Sequence, residues 1–195
     1  MFIRLSMGIA SFFILVGCSK APSMQRYLLQ TPQTKSVETK RVYLEKTLKV
    51  SYPQARLLPL DEQLYFTRGA SKRGTYENAQ WQIPFGRLLQ ERMIEAFQQP
   101  RHFKAIVTQE SSLSTDFRLE SAVSRCEHQV TQKGSFAHLV LEIDFIDERR
   151  GVLLKHRRFS YMQKTKEVNA KGYVDALNHL FERFRDDLVV WIEER

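Results

Sequence analysis

The stretch LVLEIDF, residues 139–145, decides the fold of this chain. Apolar side chains at its odd-numbered positions alternate with Glu142 and Asp144. Because successive side chains of a β-strand point to opposite faces, this alternation predicts a strand with one buried and one polar face. Gly151 then supplies a turn, and residues 152–162 read as the partner strand. The sequence therefore predicts an antiparallel hairpin in this region.

Two amphipathic helices are predicted, one before and one after this hairpin. The first begins at Pro84, where the missing N–H costs nothing in the first helical turn, and it ends before Pro100. The second has apolar residues on one stripe over more than five turns. The members of that stripe are Tyr173, Ala176, Leu177, Leu180, Phe181, Phe184, Leu188, Trp191 and Ile192.

The other predicted elements are short strands joined by polar loops. Residues 31–40 and 111–115 are polar and read as loops. The strands are predicted at 27–29, 42–52, 63–68, 75–81, 103–107 and 117–123. This order predicts a single α+β domain, in which the two helices pack on a mostly antiparallel sheet.

The N-terminus has the layout of an export signal. Arg4 precedes an apolar run over residues 7–16, which is shorter than the roughly 20 residues that a membrane span needs. The run ends in Leu15-Val16-Gly17-Cys18, which resembles the bacterial lipobox. We therefore predict a signal peptide over 1–17, a lipidated tether over 18–25 and a periplasmic domain over 26–195. The alternatives are an ordinary signal peptide with a chance cysteine, or an N-terminal core helix.

Acylation of Cys18 would decide where the protein resides. A lipobox implies covalent diacylglyceryl and N-acyl groups on this cysteine, and two or three acyl chains anchor a protein durably. Ser19 follows in place of the aspartate that retains enteric lipoproteins at the inner membrane, which favours the periplasmic face of the outer membrane in a Gram-negative bacterium. Cys126 is then left without a disulfide partner and is predicted to be a small, semi-buried residue.

Much of the excess positive charge behind the net charge of +8 is on the predicted hairpin. Its candidate contact residues are Arg149, Arg150, Lys155, Arg157 and Arg158. Two interpretations remain open: a solvated hairpin whose cations discourage pairing of strand edges, or a surface that contacts phospholipid headgroups or an acidic partner. An exported lipoprotein rarely meets nucleic acid, so nucleic acid is not expected as a partner.

The sequence carries no recognisable catalytic or metal-binding pattern. The segment from Gly69 to Gly74 superficially resembles a phosphate-binding loop, but Thr75 stands where that motif needs lysine. The five histidines lack the HxxxH spacing that places two ligands on one helix face. We therefore predict neither a metal site nor a catalytic residue, and no cofactor beyond the acyl groups.

Short motifs follow one another in a recognisable order along the chain. After the lipobox-like segment they are Tyr27-Leu28-Leu29, Leu48-Lys49-Val50 with Pro53, LYFTR at 64–68, Tyr76, Trp81, Pro84, Leu88-Leu89, DFRL at 116–119, the 139–145 strand, Phe159 and Trp191. This order resembles that of the ABC-type transport auxiliary lipoproteins, the PqiC-like (YmbA) family. The resemblance extends over nearly the whole predicted domain.

Membership implies a non-catalytic accessory subunit of an intermembrane lipid transport system. Its expected partners are an MCE-domain protein and an inner-membrane ABC transporter, and oligomerisation into a collar or channel is implied as well. Two other readings stay open: an assembly or plug lipoprotein of another outer-membrane machine, such as lipopolysaccharide export or secretion, and an exported enzyme.

Overall fold

The computed structural model describes residues 23–30, 42–69, 72–98 and 101–194. The predicted signal peptide, Cys18 and the loop over 31–40 lie outside the described residues. The described elements, in chain order, are β1 (Gln25–Tyr27), β2 (Thr47–Val50), β3 (Gln54–Ala55), β4 (Gln63–Arg68), β5 (Lys72–Trp81), α1 (Phe85–Gln98), β6 (Ala105–Thr108), β7 (Phe117–Thr131), β8 (Gly134–Asp147), β9 (Val152–Lys164) and α2 (Ala170–Glu193).

The described strands form one mixed sheet around β7, which is 15 residues long. On one side β7 pairs antiparallel with β8, and β8 pairs antiparallel with β9. On the other side three short strands, β2, β3 and β4, follow one another along β7, and all three run parallel to it. β6 continues the sheet beside β2, and β5 and β1 continue it beside β4.

The prediction of a mostly antiparallel sheet is therefore wrong. The predicted β8–β9 hairpin is antiparallel, and so is the β7–β8 pair, because a short turn between adjacent strands permits no other direction. The parallel pairs join strands that are distant in sequence, such as Val50 with Leu119. Apolar alternation indicates which face of a strand is buried, but it carries no information about the direction of a distant neighbour.

The segment predicted as a strand over 42–52 is a strand only from Thr47 to Val50. The residues before it form a turn, in which the ring of Tyr43 stacks on that of Phe103 with 5.5 Å between centroids. Tyr43 also meets Phe117 edge-on at 5.2 Å. This turn covers the edge of the core with aromatic and aliphatic residues. Their spacing in the sequence resembles that of a strand, which explains why the predicted strand is too long.

Gly74 lies inside β5, not at the end of the predicted loop between Gly69 and Gly74. It pairs with Phe66 of β4, and a Cβ atom at this position would lie 2.7 Å from Cζ of that ring. A side chain at this position would have to displace the Phe66 ring, so glycine permits the close approach, and φ is +63° at Gly69, where β4 ends.

Both helices pack on the same face of the sheet, as predicted. The apolar stripe of α2 is buried against β8 and β9; the ring of Phe184, for example, meets that of Phe159 at 5.4 Å. α1 lies beside α2, and the rings of Phe85 and Phe181 are 6.2 Å apart. At the start of α2, the side chain of Asn169 accepts a hydrogen bond from the Gly172 N–H at 2.8 Å and caps the helix.

Candidate functional site

The predicted contact residues lie on the β8–β9 hairpin, at the edge of the sheet. β9 is 13 residues long, and within the described residues it pairs with β8 alone. Gly151 makes the turn with φ +64°, a left-handed conformation that favours glycine. The five basic residues lie in four different environments, so they do not form one continuous patch.

The two arginines at the hairpin tip pair with aspartates. Arg149 Nη2 lies 2.9 Å from Oδ1 of Asp116, and Arg150 Nε lies 2.8 Å from Oδ2 of Asp147. The backbone N–H of Thr47 is the main cause of a lowered pKa for Asp116, with Arg149 contributing, so this carboxylate stays ionised. About 70% of each arginine side chain is nevertheless exposed, at 72% and 69%. Both cations therefore remain accessible to a partner, although each is partly neutralised.

Lys155 is directed at the C-terminus of α2. Its Nζ donates to the carbonyl oxygens of Trp191 at 2.8 Å and Ile192 at 3.0 Å, and it also contacts the carbonyl of Glu194. The last carbonyls of a helix lack intrahelical partners and carry partial negative charge, so a lysine here satisfies them and complements the helix dipole. Burial lowers the pKa of Lys155. The arrangement ties the edge strand to the end of the helix.

Replacing Lys155 with methionine should destabilise the fold. The methionine keeps the aliphatic stem but removes the charged donor, and we expect the free energy of unfolding to fall by about 1–2 kcal/mol. Chemical denaturation of the purified protein measures this loss. Lys133→Met in the exposed β7–β8 turn is the matched control and should change stability by less than about 0.5 kcal/mol. Equal losses in both variants would contradict a stabilising role for Lys155.

Arg157 and Arg158 point to opposite faces of the sheet. Arg157 lies over the ring of Phe159, with its Cζ 5.0 Å from the centroid, on the side that carries the helices. Arg158 pairs in register with Glu142 on the other face, where the carboxylate of Glu142 lies 3.3 Å from Arg56 Nη2. The predicted contact of these residues with lipid or a partner stays a prediction.

Apolar residues at the start of β9 add a feature that the sequence pattern concealed. Val152 and Leu153 are 48% and 54% exposed, and Leu154 is exposed as well. In the sequence these residues read as an ordinary strand, but the strand is at the edge of the sheet and extends beyond the cover of α2. Exposed apolar side chains beside arginines are typical of surfaces that bind another protein.

Cys126 is buried more deeply than predicted and is a free thiol. Its Sγ lies 3.4 Å from the Tyr173 hydroxyl, and burial raises the pKa of the thiol to about 12. The ring of Tyr173 stacks on His128, whose Nδ1 lies 2.6 Å from the hydroxyl of Tyr76. Burial lowers the pKa of His128 to about 4. At neutral pH the cluster therefore holds a protonated thiol and a neutral imidazole.

The described part of the chain contains no group of three or more side chains placed to hold a metal ion. Across these same residues, no helix has both the length and the apolar character required to cross a bilayer.

The match to a family model covers most of the chain. Residues 27–189 match the model described as "ABC-type transport auxiliary lipoprotein component". The chain belongs to this family. The resemblance inferred from the order of motifs is thereby confirmed, and with it an auxiliary role in transport. No curated protein matches the chain.

Solved structures share the fold of this auxiliary lipoprotein at low sequence identity. Protein XCC0632 from Xanthomonas campestris is 17% identical, with a TM-score of 0.70 over 88% of this chain and 92% of that chain. The hypothetical protein CT253 from Chlamydia trachomatis is 8% identical, with a TM-score of 0.56 over 76% and 96%. PelC from Paraburkholderia phytofirmans, solved as a dodecamer, is 9% identical, with a TM-score of 0.51 over 78% and 94%.

Proposed function

We propose that this auxiliary lipoprotein is held at the periplasmic face of the outer membrane by acyl groups on Cys18. It acts there as a non-catalytic subunit of an MCE/ABC-type system that moves phospholipid or other hydrophobic molecules between the membranes. The family match over 27–189 is the observation that carries the proposal. The segment Leu15-Val16-Gly17-Cys18, which resembles a lipobox and precedes the matched region by eight residues, supports the anchor.

The direction of β1 supports different roles for the two ends of the sheet, one near the membrane anchor and the other towards the periplasm. β1 runs parallel to β5 with Gln25 opposite Ala79, so the first residue of β1 is the one nearer to the end at which β5 begins. The hairpin tip at Arg149 and Arg150 is at the opposite end, because β8 extends about 45 Å over its 14 residues. An anchor at Cys18 would therefore leave the tip facing the periplasm. Of the two contacts open for the hairpin, a partner protein fits this geometry better than lipid.

Copurification tests the proposed partnership. The tagged protein, extracted from membranes in mild detergent, should recover an MCE-domain protein and its ABC permease. Arg157→Glu combined with Arg158→Glu should reduce that recovery about tenfold, because reversed charges on the hairpin repel a partner that the arginines attract. Arg26→Glu, on the exposed strand β1 at the opposite edge of the sheet and outside the basic hairpin, is the control and should leave recovery unchanged.

Two results would contradict the proposal. Recovery of lipopolysaccharide-export or secretion components without an MCE protein would favour an assembly or plug lipoprotein. Turnover of a substrate by the purified protein alone would show an enzyme. Native mass spectrometry of the recovered complex gives the copy number of the lipoprotein; we propose a homo-oligomer, in keeping with the dodecamer formed by PelC of the same fold.

A further inference from the structure

Three connections meet at the end of the sheet opposite the hairpin tip. The β4–β5 turn is there because Arg68 pairs with both Lys72 and Val130 near the end of β7. The β7–β8 turn is adjacent, with Thr131 opposite Gly134. The β9–α2 connection joins them, since the Thr165 N–H donates to the carbonyl of Ser135 at 2.9 Å.

Exposed cations cluster on these connections and at the ends of the strands that they join. We call the set the basic end, and its members are Arg68, Lys72, Lys133, Lys164 and Lys166. Within the described residues none of the five forms an ion pair, whereas both arginines of the hairpin tip do. Glu167 is the one acidic residue on the described parts of the three connections. Asp175 and Glu182 of α2 line one cavity with Lys164 and Lys166, so the five cations are partly compensated but outnumber these carboxylates.

An apolar side chain projects from the same place. Val168, between Lys166 and the start of α2, is 66% exposed, the largest value among the exposed large hydrophobic residues of the described chain. Cations that surround an exposed apolar tip are suited to a phospholipid surface, where the cations meet headgroup phosphates and the apolar group enters the interface.

The chain enters the domain close to this end. Gln25, the first residue of β1, lines one cleft with Arg68 of the basic end and Ala170 at the start of α2. Ser23 follows Cys18 by five positions, a length of chain that spans at most about 18 Å. An acyl anchor on Cys18 would hold the basic end nearer to the bilayer than the hairpin tip, which is about 45 Å further along β8.

We propose that the basic end binds the anionic phospholipid headgroups of the leaflet that carries the anchor. The proposal rests on the acyl anchor of the proposed function for its geometry. Attraction between lysines and an anionic surface falls off within a Debye length, about 8 Å at physiological ionic strength, so the contact requires the short tether. The result is an upright domain that presents its hairpin to the periplasm.

Site-specific fluorescence on the acylated protein tests the orientation. The acyl groups are first verified by intact mass, and the protein is reconstituted into phosphatidylcholine vesicles with or without phosphatidylglycerol. A polarity-sensitive label is attached at Val168→Cys or, as the matched position at the other end, at Leu153→Cys; both sites are exposed, whereas Cys126 is buried. A headgroup-bound quencher should quench the Val168 label strongly in phosphatidylglycerol vesicles, and the Leu153 label little in either kind.

Charge substitutions supply the second comparison. Lys72→Gln, Lys133→Gln, Lys164→Gln and Lys166→Gln together should weaken the phosphatidylglycerol-dependent quenching at Val168 at least about tenfold. The control variant removes the same charge at the hairpin, through Arg149→Gln, Arg150→Gln, Arg157→Gln and Arg158→Gln, and should leave the quenching unchanged. Equal quenching of the two labels, or equal effects of the two variants, would overturn the proposal.

These experiments separate an error in the proposed anchor from an error in the proposed headgroup binding. If the mature protein carries no acyl group, the acyl anchor of the proposed function is wrong. Sedimentation of the same protein with phosphatidylglycerol vesicles then still tests the basic end. Binding that is lost in the lysine variant and kept in the arginine variant would support the surface, and absence of binding would overturn it.

Discussion

Replacement of Cys18 by serine should remove the protein from the outer-membrane fraction and abolish incorporation of labelled fatty acid. The thiol of Cys18 is the proposed attachment point of the diacylglyceryl group, and a serine hydroxyl does not form the thioether. Each buried methylene contributes about 0.8 kcal/mol to membrane binding, so loss of two or three acyl chains removes the whole anchor. Membrane fractionation and metabolic labelling measure the two effects.

Cys126→Ala is the control for this experiment. Cys126 is the other cysteine of the chain. It is buried beside Tyr173, so its thiol is not accessible to an acylating enzyme. The variant should keep both the fatty-acid label and the membrane location. Undiminished membrane retention and labelling of Cys18→Ser would show that the anchor is elsewhere, and the LVGC segment would then be an ordinary signal sequence.

Truncation of Phe184 to alanine should cause the largest loss of stability among single substitutions considered for the domain. Phe184 is fully buried in the middle of α2, and its ring meets Phe159 at 5.4 Å and Phe181 at 6.2 Å. Removing a buried phenylalanine ring loses its transfer free energy and leaves a cavity, which typically costs about 3–5 kcal/mol. The loss is measured as a lower denaturation midpoint of the purified protein.

Val190→Ala is the matched control on the same helix. Val190 is exposed on α2, so its truncation should change the free energy of unfolding by no more than about 0.5 kcal/mol. Phe184→Leu should lose less than Phe184→Ala, because leucine fills more of the space. Similar stability of Phe184→Ala and Val190→Ala would mean that α2 is not packed on β8 and β9 in solution.

Patterns of local origin were predicted correctly. Alternation over residues 139–145 marks the buried face of β8, and the long apolar stripe marks the face of α2 that packs on it. The order of short motifs along the chain indicates the family, and the match over residues 27–189 confirms it. The strand and helix signals depend on residues close together in sequence, where the periods of helix and strand can be recognised directly.

The functional surface was less predictable than the fold. Five basic residues of one hairpin suggested a single patch, yet Lys155 caps a helix, and Arg157 and Arg158 point to opposite faces. The basic end draws its cations from three separate connections, so no window of the sequence contains it. A search for unpaired lysines near predicted turns could have found the members, but it could not have placed them together.

The sequence by itself determined the long strands, the two helices, the family and the predicted address at a membrane. Only the tertiary structure decided that β2, β3 and β4 run parallel to β7, and that the basic end lies where the chain enters the domain. The physical reason is the range of the interactions. Side-chain periodicity reports burial within one element, whereas strand direction and the grouping of charges arise from pairing between segments far apart in the chain, whose energies depend on the whole fold.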